Sequence, residues 1–214
     1  MSRIQRMALS DQRLVDLLAA FRSSEPTPGG GSASALGGAI GASLLAMVAG
    51  LPKPRTRTPD EERQLADAQS RCATISDRLA TLMDRDSTAY DGVVAAFRLP
   101  KSSEDERAVR SVRIQEALRA ATEAPLDVMR TCVEAIHLAA TVAAFGNANA
   151  ASDVQVGLEL LGAGLRGAGM NVAINLTGLK DQAYVAAMKK ETVLLEVEAS
   201  RAHAAAIAAL GDRA

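Results

Sequence analysis

Hydrophobic positions along the chain recur every three or four residues, and no alternating run long enough for a strand interrupts them. Leu14, Leu17, Leu18 and Phe21 form the first such face, in a helix that Ser10 can cap and that stops near Ser23. Glu25-Pro26-Thr27-Pro28-Gly29-Gly30-Gly31-Ser32 is then a turn, because two prolines bar a helix and three glycines open backbone angles and close approaches denied to other residues. A helix over about residues 32–51 follows. Small residues at Gly37, Gly38, Gly41 and Ala42 let neighbouring helices come close to it.

Thr58-Pro59-Asp60-Glu61 carries a cap, a proline at the first helical position and an acid three residues after the cap. The pattern runs on to about Phe97. At about 39 residues, or roughly 58 Å, such a helix is expected to kink or break near Asp84 to Ser87. Ser103-Glu104-Asp105-Glu106 opens another helix, which Pro125 is expected to interrupt or kink and which Gly146 ends in a left-handed conformation. Polar Asn147 to Asp153 leads into a helix reaching about Leu176, and a last one spans about residues 181–209. Long helices joined by short loops predict an all-α fold, an up-and-down bundle forming a single domain over residues 1–214. Its alanine-rich faces predict a homodimer.

Composition agrees: 48% of the 214 residues are apolar but only 2% aromatic, which suits closely packed helices better than a β core. The charges balance to −1, so no global field attracts nucleic acid or an anionic membrane, and neither is expected as a partner. Cys72 and Cys132 show no metal-binding or disulfide spacing and read as core thiols. Gly29 to Leu51 is uncharged and long enough to cross a bilayer; as the one segment of its kind, poor in large aliphatic side chains, it reads instead as a buried central helix. Met1 to Met7 lacks the apolar run of a secretory signal, and a cytoplasmic location is expected.

Five groups of residues offer chemistry. Gly29, Gly30, Gly31 and Ser32 precede a helix whose first N–H groups and dipole attract negative charge, although a tight turn with close helix packing explains them equally simply. Lys53, Arg55 and Arg57 stand in a proline-punctuated loop and suit a carboxylate, or are plain solvated charge. Asp84, Asp86 and Tyr90 lie on one helix, with Asp86 and Tyr90 on one face as an acid and phenol able to handle protons. Asn147, Asn149 and Asp153 gather in a turn where amides recognise a heterocycle edge and a carboxylate acts as base; capping by Ser152 or Asp153 is the simpler alternative. Asn171 and Asn175 put two amides on one helical face, and buried amides need partners. His137 and His203 are isolated and read as satisfied core or interface residues, and nothing suggests a metal.

Pro28-Gly29-Gly30-Gly31-Ser32, the Ala/Gly helix ending in Met47-Val48, Asp86 with Tyr90, Ala124-Pro125-Leu126, Gly146-Asn147 with Ser152-Asp153, and Asn171-Val172 with Ile174-Asn175-Leu176 occur in that order along nearly the whole chain. Together they resemble the cyclodeaminase domain of the formiminotransferase-cyclodeaminase family. Leu99-Pro100-Lys101, followed by an acidic capping box and Ile114-Gln115-Glu116-Ala117-Leu118, looks most like that family's stand-alone methenyltetrahydrofolate cyclohydrolases. The resemblance implies an all-helical dimer that binds a tetrahydrofolate and needs no cofactor beyond that substrate. It implies hydrolysis of 5,10-methenyltetrahydrofolate to 10-formyltetrahydrofolate, with release of ammonia from formiminotetrahydrofolate, another amidine or imine substrate, or folate binding without turnover as alternatives. Asp153 or Asp86 would move protons. Gly29 to Ser32, Tyr90 and Asn147 would shape the pocket, Asn171 and Asn175 would bind the pterin, and Lys53 and Arg55 would hold the glutamate tail. The segment from Gly50 to Thr58 departs from the family pattern of Asn-Leu-Thr and a lysine-rich stretch.

Overall fold

The computed structural model describes residues 7–52 and 57–211. Six helices make up the fold: α1 (Leu14–Phe21), α2 (Gly30–Gly50), α3 (Pro59–Phe97), α4 (Glu104–Phe145), α5 (Ala151–Leu176) and α6 (Gln182–Gly211), with single 3-10 turns at Leu9–Asp11 and Ala148–Ala150. No strand occurs among the described residues. Both expected capping boxes form. Thr58 Oγ1 accepts from the Glu61 N–H while Glu61 Oε2 accepts from the Thr58 N–H, and Ser103 and Glu106 repeat the arrangement, satisfying N–H groups that a helix start leaves bare.

Four local expectations are corrected. Ser10 caps no helix: it lies in the first 3-10 turn and donates through Oγ to Asp84 Oδ2 at 2.8 Å, while α1 begins after Arg13. α3 runs unbroken through Asp84 to Ser87, since that stretch holds neither proline nor glycine and both carboxylates find partners outside the helix. α4 continues through Pro125, which is buried; the carbonyl of Ala121, deprived of its helical N–H, is bonded by Asn175 of α5 instead. Gly146 ends α4 at φ −65° rather than in the left-handed region. Glycine is required there by space, because a Cβ would lie 2.5 Å from the Val142 carbonyl oxygen.

α2 lies at the centre, packed on α3, α4 and α5. It runs antiparallel to α5, with Gly30 beside Asn171 at one end and Gly41 against Gly157 further along. Their backbones nearly touch: a Cβ on Gly41 would stand 2.6 Å from the Gly157 carbonyl oxygen, and one on Gly164 would stand 2.7 Å from that of Ser34. Leu45, Leu79, Met83, Leu126, Met129, Ile136 and Leu158 fill the space between helices. Cys72 and Cys132 are buried among them as free thiols, and burial pushes each thiol up to about 12. α4, too, contains a stretch apolar and long enough to cross a membrane, so α2 is not alone in this; the apolar windows of α2 and α4 are 50% and 61% buried in the bundle. Arg130 of α4 ties α6 down by pairing with Glu191, and also pairs with Asp127 and Glu123 of its own helix. His137 is not a core residue: it sits on the surface 2.8 Å from Glu198, and His203 faces Glu159 at 3.7 Å.

Candidate active site

The turn before α2 carries a cis Thr27-Pro28 bond and delivers the first N–H groups of α2 to a cavity of about 250 Å³. Gly29, Gly30 and Gly31 line it from the turn, Asp86 and Tyr90 from α3, Asn171 and Asn175 from α5. Thus three separate sequence clusters converge, one from each helix. Pro26, Thr27, Ala121 and Ile174 complete the wall; of these, Ala121 was detectable in advance, four residues before a helical proline whose missing N–H exposes its carbonyl. A larger groove of about 460 Å³ between α5 and α6 collects Arg166, Glu196 and His203 and none of the converging clusters.

Asp86 is the half-buried acid of the cavity. Its carboxyl lies against Gly31, where any Cβ would overlap it, so the glycine makes room for the acid. Burial raises its pKa above the ordinary aspartate value, and the Ser32 hydroxyl and main-chain N–H, at the positive end of α2, partly offset that rise. Ser32 Oγ is 2.9 Å from Asp86 Oδ2 and 3.1 Å from the Met83 carbonyl oxygen. A hydroxyl has one proton, and both neighbours only accept when Asp86 is ionised. Protonated Asp86 donates to Ser32 Oγ, which then donates to Met83 O, and every group is satisfied. The same arrangement therefore accommodates both protonation states, as a group that takes up and returns a proton requires.

The two amides face the cavity with one polarity. Asn171 Nδ2 donates to the Gly167 carbonyl at 2.9 Å, and Asn175 Nδ2 to the Ala121 carbonyl at 2.7 Å. Neither Oδ1 has a hydrogen-bond partner among the described residues. Tyr90, 42% exposed, stands at the rim.

Asn147 and Asp153 do not join this cavity within the chain. About five helical turns, roughly 27 Å, separate Asp153 from Asn171 along α5. Asn147 donates through Nδ2 to the Pro52 carbonyl and accepts from the Asn149 N–H, bracing the far end of α2. α5 begins after Ala150 with no side-chain cap, so neither Ser152 nor Asp153 caps it; Asp153 is in its first turn. Lys53 and Arg55 lie outside the described residues. Asp84, only two residues from Asp86, points elsewhere and binds the Leu9 and Ser10 main chain.

The family model described as Formiminotransferase-cyclodeaminase matches residues 13–193. A methenyltetrahydrofolate cyclohydrolase of Methylorubrum extorquens is 39% identical over 189 residues, which is 88% of this chain and 91% of that relative. A formimidoyltransferase-cyclodeaminase of Dictyostelium discoideum is 36% identical over 86% of this chain, but this chain spans only 33% of its length. Among solved structures, a formiminotetrahydrofolate cyclodeaminase from Thermotoga maritima superposes with a TM-score of 0.84 at 26% identity, covering 95% of this chain and 98% of that one. With this match extending from α1 into α6 and a named relative aligned along nearly its full length, the chain belongs to the formiminotransferase-cyclodeaminase family.

Proposed function

We propose that the cavity binds the ring system of a reduced folate and that the chain hydrolyses 5,10-methenyltetrahydrofolate to 10-formyltetrahydrofolate. The observation that carries this reading is Asp86, a half-buried carboxyl with a raised pKa, held beside Ser32 at the mouth of a helix in a cavity that Asn171 and Asn175 also line. The 39% identity to a named cyclohydrolase supports it. In the reaction, water adds its oxygen to the electron-poor carbon between N5 and N10 and gives up a proton. The tetrahedral adduct then breaks its bond to N5, which takes up a proton, leaving the formyl group on N10. Asp86 accepts the proton from water and returns it to N5, with Ser32 bridging its two states; the adduct hydroxyl loses its remaining proton to solvent as the formyl carbonyl forms, so the net reaction releases one proton. Asn171 and Asn175 accept from N–H donors of the pterin.

A formimino substrate is the second reading, favoured by the likeness to the Thermotoga cyclodeaminase. There N10 attacks the formimino carbon and ammonia leaves, with the same carboxyl moving the proton. Both are tested by following loss of the methenyl chromophore, and separately release of ammonia from the formimino compound, with wild type and Asp86→Asn. Asp86→Asn is expected to lower turnover by about 10²- to 10⁴-fold. No acceleration by wild type, or full activity of Asp86→Asn, overturns the reading.

The functional unit we propose is a homodimer. Ile40 and Met47 of α2 and Val156, Met170 and Ile174 of α5 are 43% to 72% exposed on adjoining helices, an apolar face that a second copy would cover. Ile174 also lines the cavity, so the partner would roof it. A twofold axis normal to α2 brings one subunit's Asn147 and Asp153 towards the other's glycine turn. Lys53 and Arg55, which lie outside the described residues, are cations suited to the carboxylates of the glutamate tail.

A further inference from the structure

The Ala124-Pro125-Leu126 segment has no role in the reaction above, yet it touches the site through one carbonyl. In an uninterrupted helix the N–H of residue 125 bonds the carbonyl of residue 121; proline has no N–H, and its ring presses that carbonyl outward. Ala121 lines the cavity wall, and its carbonyl oxygen accepts from Asn175 Nδ2 at 2.7 Å. We infer that Pro125 is a positioning residue: by vacating the Ala121 carbonyl it holds the Asn175 amide with its NH2 turned into the protein and its oxygen turned to the ligand. The inference rests on the folate reading for the identity of the ligand, and deepens it to a rule of recognition. Asn171 is held in the same sense by Gly167 O. The α5 wall therefore presents two acceptors, and the ligand edge that fits it carries N–H donors, as does a fused pyrimidine ring bearing ring N–H and amino groups. An amide turned the other way would set N–H against N–H, and the unpaired donors would weaken binding.

The test is a double-mutant cycle with Pro125→Ala and Asn175→Ala, reading kcat and KM for 5,10-methenyltetrahydrofolate together with Tm and the side-chain amide resonance of Asn175. Pro125→Ala restores the helical N–H, so Tm rises while KM increases about five- to tenfold and kcat changes little. In the Asn175→Ala background the same proline substitution adds nothing to KM, because the amide through which it acts is gone. An unchanged KM, a loss confined to kcat, or an equal increase in both backgrounds overturns the inference. The Asn175 resonance shifts in Pro125→Ala protein without ligand. A wild type inactive on folate therefore dismisses the folate reading, while an unmoved resonance dismisses the role of Pro125.

Discussion

Asp86 and Asp84 are two residues apart on α3, and their fates differ because positions i and i+2 point to different sides of a helix. Asp84 meets the main chain of the N-terminal turn, whereas Asp86 is packed against Gly31 with the Ser32 hydroxyl. Folding raises the pKa of Asp86, so above that native pKa the folded state bears the cost of a half-buried charge. That cost is full above the raised native pKa and absent below the unfolded value of about 3.9. Asp86→Asn removes it. The variant is expected to melt above wild type at about pH 8, with the difference closing as the pH falls through the native pKa of Asp86. Thermal melts across that range check this, and equal melting temperatures at every pH would show that the acid carries no such cost.

At the scale of elements, the close approach of α2 and α5 makes two neighbouring glycines unequal. A Cβ on Gly164 would meet main-chain atoms, 2.7 Å from Ser34 O and 3.1 Å from Gly38 N, and neither can swing aside. A Cβ on Gly162 would meet only Arg166 Nη1, at 3.1 Å, the far end of a flexible side chain. Gly164→Ala is expected to lose about 1–3 kcal/mol of stability by overpacking. Gly162→Ala is expected to be neutral or to gain up to about 1 kcal/mol from helix propensity. Denaturant melts of the two variants decide it. The capping boxes give a second check, Ser103→Ala and Thr58→Ala each costing about 1 kcal/mol, or a Tm lower by about 2–4 °C. Helix starts were legible because a capping box is local. Continuity through Pro125 was not, because the group that takes over the freed Ala121 carbonyl comes from a residue 54 positions away along the sequence, Asn175 on another helix.

For the whole molecule, the homodimer proposed above would cover the apolar face on α2 and α5 and would let Asp153 of one subunit approach the cavity of the other. Met170→Glu and Ile40→Glu place charge on that face and are expected to yield monomers by analytical ultracentrifugation, with turnover lost. If each cavity draws Asp86 from one subunit and Asp153 from the other, mixing inactive Asp86→Asn and Asp153→Asn proteins, with subunit exchange, restores about a quarter of wild-type activity, since half the dimers are mixed and each has one intact site. No recovery on mixing would confine the site to a single subunit.

The sequence by itself determined what depends on near neighbours: helical periodicity, the capping boxes that open α3 and α4, the proline and glycine turn, the pairing of Asp86 with Tyr90 and of Asn171 with Asn175 on their faces, and a motif order that resembles one family. Only the tertiary structure decided which of these meet. Antiparallel packing of α2 on α5 brings the glycine turn to Asn171 and carries Asp153 to the far end, so a carboxylate as plausible as Asp86 by residue type lies outside the cavity of its own chain. The physical reason is that proton chemistry needs burial and a partner within hydrogen-bond reach, and both are set by contacts between helices far apart in the chain.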